Sequence, residues 1–196
     1  PPTPTPTIEP TATATAILAG VIHVDTLEQE VYPFVVNGKC SLAEAIIAPN
    51  SREVVDTCSA GIEGETIIEL MPGEYHFTQP DDSPPQVDWM ASLRSVGSAL
   101  PPVIFPLTIH GNGAVLTRDN GSEQFRFFEL MVNSSLKLSD MTLQGGDVGD
   151  DWGGAIFAMN ALLDLDNVRF ENNRAQLGGA IYFDLSALNI IDSEFK

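Results

Sequence analysis

The chain reads as an all-β protein: a right-handed parallel β-helix of about 25 residues per coil, with an N-terminal cap containing one short helix. Three observations predict this. The segments LKLSDMTLQGGD from Leu136, LDLDNVRFENNR from Leu163 and LNIIDSEFK from Leu188 superpose without gaps, at offsets of 27 and 25 residues. Between them Gly153-Gly154-Ala155-Ile156 and Gly178-Gly179-Ala180-Ile181 recur, again 25 residues apart. Apolar and polar residues alternate within each copy, as in a half-buried strand. A unit this short cannot enclose a core alone, whereas stacked units bury one face against the next.

Stacking places equivalent residues in columns about 4.8 Å apart. The columns Leu136/Leu163/Leu188, Leu138/Leu165/Ile190 and Leu143/Phe170/Phe195 are apolar throughout and are assigned to the interior. Lys137/Asp164/Asn189 and Thr142/Arg169/Glu194 alternate with them and are assigned outside, where Arg169 and Glu194 are placed to pair between coils. LTIHGNG from Leu107 reads as an earlier, less regular copy.

The alternation slips once per copy, at Asp140, Asn167 and Asp192. Asn and Asp tolerate a left-handed backbone, so this column predicts a corner between two strands. Gly145-Gly146 with Asn172-Asn173, and Gly153-Gly154 with Gly178-Gly179, predict two more, giving a three-sided coil. A leucine-rich horseshoe is the rival, but its repeats need a helical outer segment and none is legible between these strands.

Upstream, residues 1–16 (PPTPTPTIEPTATATA) read as an extended, solvated linker or stalk, and residues 17–196 as the cap and first coils. Ile17–Asp25 reads as a first strand. Ser41–Ala48 has helical spacing, with Ser41 and Glu44 as a capping box and Pro49 as the terminator. Thr66–Leu70 is a strand, Pro72-Gly73 a turn, and Tyr75–Thr78 extended. Gln79–Pro102, rich in proline, reads as an inserted surface loop carrying Trp89. The chain ends at Lys196 in mid-repeat. This is expected to mark a truncated solenoid whose last coil leaves an unpaired apolar edge and associates in solution.

The balance of 27 acidic to 9 basic residues, a net charge of −18, disfavours nucleic acid and anionic membranes as partners. No stretch is long and apolar enough for a spanning helix. Cys40 and Cys58 are read as a disulfide suited to a secreted or surface protein, against the alternative of two buried thiols. Zinc is disfavoured, because His23, His76 and His110 are remote and irregularly spaced.

Cys40-Ser41-Leu42-Ala43-Glu44-Ala45-Ile46 resembles the CSLREA motif that heads bacterial secreted β-helix proteins, with Ala43 where the motif has Arg. Gly153–Ile156 (GGAI) and Phe170–Asn173 (FENN) are similar to repeats of chlamydial polymorphic outer-membrane proteins. The resemblance covers about residues 35–196. It implies export to the bacterial cell surface or secretion, and implies no defined reaction.

Enzymes on this fold need converging carboxylates. A hydrolase needs a pair set roughly 5–9.5 Å apart; a lyase needs calcium plus a base. Asp147, Asp150 and Asp151, on the Gly-rich corner GGDVGDDWGG, are the candidate calcium ligands, although they lack the spacing of a dedicated loop. Trp89 and Trp152 are candidate ligand platforms. Asp164 and Asp166 read as plain exterior residues. No residue set reads as catalytic and no cofactor is required. The sequence therefore favours a non-catalytic surface scaffold for adhesion or envelope display, with carbohydrate or other surface proteins as partners. The alternative is a polysaccharide lyase or glycoside hydrolase working along the β-helix.

Overall fold

The computed structural model describes residues 20–62, 64–81 and 96–196. The Pro/Thr-rich residues 1–16, the start of the first predicted strand and Trp89 lie outside them.

The first two sides of the coil share one sheet, all of whose strand pairs are parallel. It contains β1 (Gly20–His23), β2 (Thr66–Glu69), β3 (Glu74–Phe77), β4 (Leu107–Arg118), β6 (Ser135–Gln144), β8 (Leu162–Glu171), β10 (Ala187–Ile191) and β11 (Glu194–Phe195). The first side runs β1-β2-β4-β6-β8-β10; β3 pairs with β4 and β11 with β8 on the second. A separate sheet of β5 (Phe128–Leu130), β7 (Ile156–Met159) and β9 (Ile181–Asp184) makes the third side. The parallel β-helix predicted from the repeat is the observed fold.

Register agrees residue by residue. Ile22, Ile68, Ile109, Leu138, Leu165 and Ile190 are successive partners, as are Tyr75, Leu116, Leu143, Phe170 and Phe195. Apolar residues align because a one-residue slip would turn every interior side chain outward. Leu138 is fully buried and Leu165 nearly so, whereas Ile190 is 44% and Phe195 48% exposed, since no further coil covers them here. Leu107, Leu136, Leu163 and Leu188 pair in succession, so the coils measure 29, 27 and 25 residues. The 25-residue period therefore holds only for the last one.

The coils that begin at Leu136 and Leu163 turn through four left-handed columns rather than three. Asp140, Asn167 and Asp192 have φ of 53°, 53° and 47°, and Asn112 joins them at 52°. Gly145 with Asn172, and Gly153 with Gly178, occupy the other two predicted corners with positive φ. The fourth column is Asn133, Asn160 and Leu185, where the third side passes into the first. Its third member is a leucine, a residue that rarely signals this conformation, which hid the column. At the GG corner the two glycines have different jobs. Gly153 takes φ 68°, while a Cβ on Gly154 would stand 2.1 Å from the Gly179 carbonyl oxygen.

The cap helix α1 (Leu42–Ser51) begins as predicted. Ser41 Oγ accepts from the Glu44 N–H, and the Glu44 carboxylate accepts from the Ser41 N–H at 2.9 Å. Pro49 does not end it. Proline removes only its own donor, and the helix continues to Arg52, which closes it at φ 57° with its N–H on Ala48 O. Ser51 Oγ donates to the Ile47 carbonyl at 3.0 Å.

Burial pushes the Glu44 carboxyl above its ordinary value of 4.5, against the lowering effect of the Ser41 hydrogen bonds. Folding therefore takes up a proton at this group between 4.5 and the higher folded value, and stability there falls as pH rises. Glu44→Gln is expected to flatten that slope in urea titrations at stepped pH. An unchanged slope would contradict it.

Cys40 and Cys58 are joined in a disulfide, with Cα atoms 5.0 Å apart and a separation of 18 residues. It ties the helix start to the segment entering β2. Removing it with Ala at both positions is expected to lower stability by about 3 kcal/mol. Reductant should shift the unfolding midpoint of the natural chain, but not that of the double variant.

The predicted insertion, Gln79–Pro102, is not wholly a surface loop. Its end rejoins the coil: Ser98 bridges Arg126, Val103 bridges Leu130, and Ala99 and Leu100 are fully buried. Proline-rich composition masked this third-side segment, whose apolar residues are too few to show a period.

Candidate functional site

The outward positions of the second side form three columns along the solenoid. The corner holds Asn112, Asp140 and Asn167. Next come Glu74, Val115, Thr142, Arg169 and Glu194, then His76, Thr117, Gln144 and Glu171. The sheet fixes their spacing; side-chain length shapes the surface. Val115, Thr117 and Thr142 are short and lie between Glu74 and His76 on one rung and Arg169 and Glu171 on another. The result is a shallow polar bowl of two adjoining depressions that meet at Thr142 and Arg169, one walled by the corner column and floored in part by Met141.

The basic groups around the bowl are engaged by acids, which outnumber them. Arg169 lies 3.1 Å from Glu171 and 3.0 Å from Glu194, so the pairing predicted between coils is present. Asn167 Nδ2 donates to Asp140 Oδ1 at 2.7 Å. His76 Nδ1 is 2.7 Å from Asp119. That hydrogen bond, with the nearby Glu74 carboxylate, raises the imidazole above its ordinary value of 6.5. Beside the bowl, Glu69 accepts from Asn112 at 3.0 Å and contacts His110 Nδ1 at 2.8 Å. Its carboxyl is held below the usual range, first by the Asn112 bond and then by His110.

The third side carries a different cluster, which sequence reasoning missed. Arg126 is fully buried although its position faces away from the coil interior. Its Nε donates to Gly153 O at 3.3 Å and its Nη1 to Val96 O at 3.0 Å. Nη2 is 3.2 Å from Asp151 Oδ2, Nη1 is 3.9 Å from Glu129, and the guanidinium lies 5.4 Å from the Phe157 ring centre. Arg126 thus ties the returning end of the insertion to the GG corner. Its only sequence signal is a lone cation among Phe125, Phe127 and Phe128.

The three candidate calcium ligands are not brought together. Asp151 is buried against Arg126 and accepts from the Val96 and Trp152 N–H groups at 3.1 and 2.8 Å. Asp147 accepts from the Gly149 N–H at 2.8 Å and lies 3.7 Å from Arg174. Asp150 is exposed in the intervening turn. The reason is local: backbone donors and two arginines claim the carboxylates separately. Among the described residues no group of three or more His, Cys, Asp or Glu side chains forms a metal site. Trp152 is half-buried and stacks on Tyr182 at 5.0 Å, and Tyr182 on Phe157 at 5.5 Å. Asp164 and Asp166 face outward on β8, Asp166 exposed and Asp164 half-buried, as the alternation predicted.

The family model of the Chlamydia polymorphic membrane protein (Chlamydia_PMP) repeat matches residues 167–184. That stretch runs from the Asn167 corner, through FENN and the GG corner, to the end of β9. No curated protein and no solved structure matches the chain. Among the described residues no helix is long and apolar enough to cross a membrane. The repeat match associates this β-helix with the cell surface or outer membrane, through a segment whose motifs the structure shows to be corners and a strand of one coil.

Proposed function

We propose that the chain is a non-catalytic scaffold of the bacterial cell surface, holding an adhesive or display surface away from the envelope. The observation that carries this reading is the stacked coil itself, matched over part of one turn, residues 167–184, by the Chlamydia polymorphic membrane protein repeat. A parallel β-helix is stiff and modular, each coil contacting only its neighbours, which suits a spacer. The charge pattern agrees. Arg169, on the outer face of β8, is occupied by two carboxylates and is a poor base. The Pro/Thr-rich stretch at residues 1–16 has the composition of a stalk.

The test uses antibodies raised against the folded chain and beads coated with it. Intact producing cells should be labelled, extracellular protease should remove the label, and coated beads should adhere to cells. Labelling only after permeabilisation would refute surface display. Release of reducing ends or unsaturated products from polygalacturonate or neutral glucans would refute the non-catalytic reading in favour of a polysaccharide-cleaving enzyme.

A further inference from the structure

We propose that the bowl on the second side binds a short, uncharged saccharide, through its hydroxyl groups and not through charge. This rests on the surface-scaffold reading and names the ligand class of its contact surface. Three features carry it.

The first is shape. Val115, Thr117 and Thr142 are half-buried, short residues between rungs of long ones, so the depression is built into the sheet and not opened between mobile loops. A strand floor holds its side chains in place before a ligand arrives.

The second is chemistry. The depression presents two threonine hydroxyls and the Gln144 amide, each at once donor and acceptor, as vicinal sugar hydroxyls require. Val115 adds an apolar patch for the C–H face of a ring. Thr117 and Gln144 are partners on adjacent rungs, about 4.8 Å apart, close enough for both to reach one sugar ring.

The third is charge. Arg169 and His76 are engaged by carboxylates, and Asp140 by Asn167. Among the described lining residues both basic groups are already engaged, and the surplus of acids repels an anionic sugar. A cationic glycan would be drawn to any part of a chain carrying −18, so it needs no bowl.

The experiment uses the whole chain, with cellohexaose, chitohexaose and mannohexaose as neutral probes and polygalacturonate oligomers as the acidic control. At least one neutral probe should shift the amide resonances of residues 115–117, 142–144 and 167–171 and leave those of the third side unmoved. Its affinity should be unchanged by added salt, and Thr142→Trp, which fills the bowl, should weaken it about tenfold or more. Lys137→Ala, on the first side, should leave it unchanged. Circular dichroism and thermal unfolding check that each variant folds, and the resonance shifts test the site without any substitution. The proposal falls if no neutral probe binds, if binding is lost in salt, or if Thr142→Trp folds and binds normally. If beads coated with Thr142→Trp still adhere to cells, the saccharide site fails while the adhesion reading survives. If the saccharide binds but coated beads never adhere, the reverse holds.

Discussion

Arg126→Ala is expected to destabilise the fold by about 3–5 kcal/mol, the range for breaking a buried ion pair from one side. The guanidinium is wholly buried, with Asp151 and Glu129 nearly so, and removing it takes a cation away from two acids in a site closed to water. It also strips donors from the Val96 and Gly153 carbonyls. Much of the loss is the penalty for buried acids left with less compensating charge and not the net worth of the pair, which gives a second arm. Arg126→Met combined with Asp151→Asn and Glu129→Gln should recover a large part of the loss, because an apolar stem and neutral amides tolerate burial. Urea unfolding of the three proteins decides it. A loss below about 1 kcal/mol for Arg126→Ala would mean that water reaches the site and screens it.

Leu138→Ala is expected to lose about 2–5 kcal/mol, from lost transfer energy and the cavity left behind. Leu138 is fully buried between Ile109 and Leu165, and its neighbours are fixed by backbone ladders on both sides, so the site has little freedom to collapse. Ile190 occupies the same column one coil beyond Leu165, but is 44% exposed. Ile190→Ala should lose less than about 1 kcal/mol, because much of its side chain is never removed from water. Hydrogen exchange gives an independent reading: the Leu138 change should speed exchange in β4, β6 and β8, while the Ile190 change should leave β4 untouched. Equal losses at the two positions would contradict a core that is closed at Leu138 and open at Ile190.

The repeat was legible because a solenoid writes its tertiary contacts into sequence periodicity. Each coil faces a copy of itself, so Leu138 and Leu165 can be aligned before they are known to touch. The Asp140 and Asn167 corner was legible for a similar reason: the left-handed backbone restricts residue type. Where that restriction was overridden, as at Leu185, the corner went unread. Pro49 misled in the opposite sense, because a missing donor weakens the last helical turn without forbidding it. The bowl was half legible. Thr142 and Arg169 could be placed outside by alternation, but not the relief created by short side chains between long ones on neighbouring rungs.

The amino-acid order alone determined the coil, its register, its interior columns and the helix cap, because each depends on residues close in sequence or repeated at a fixed interval. Only the tertiary structure decided which outward residues are solvated and which are covered. Arg126 and Thr142 both lie outward on β-helix rungs, yet one is sealed beneath returning chain and the other lines an open depression. Whether a side chain meets water depends on what the rest of the chain lays over it, and no local spacing records that.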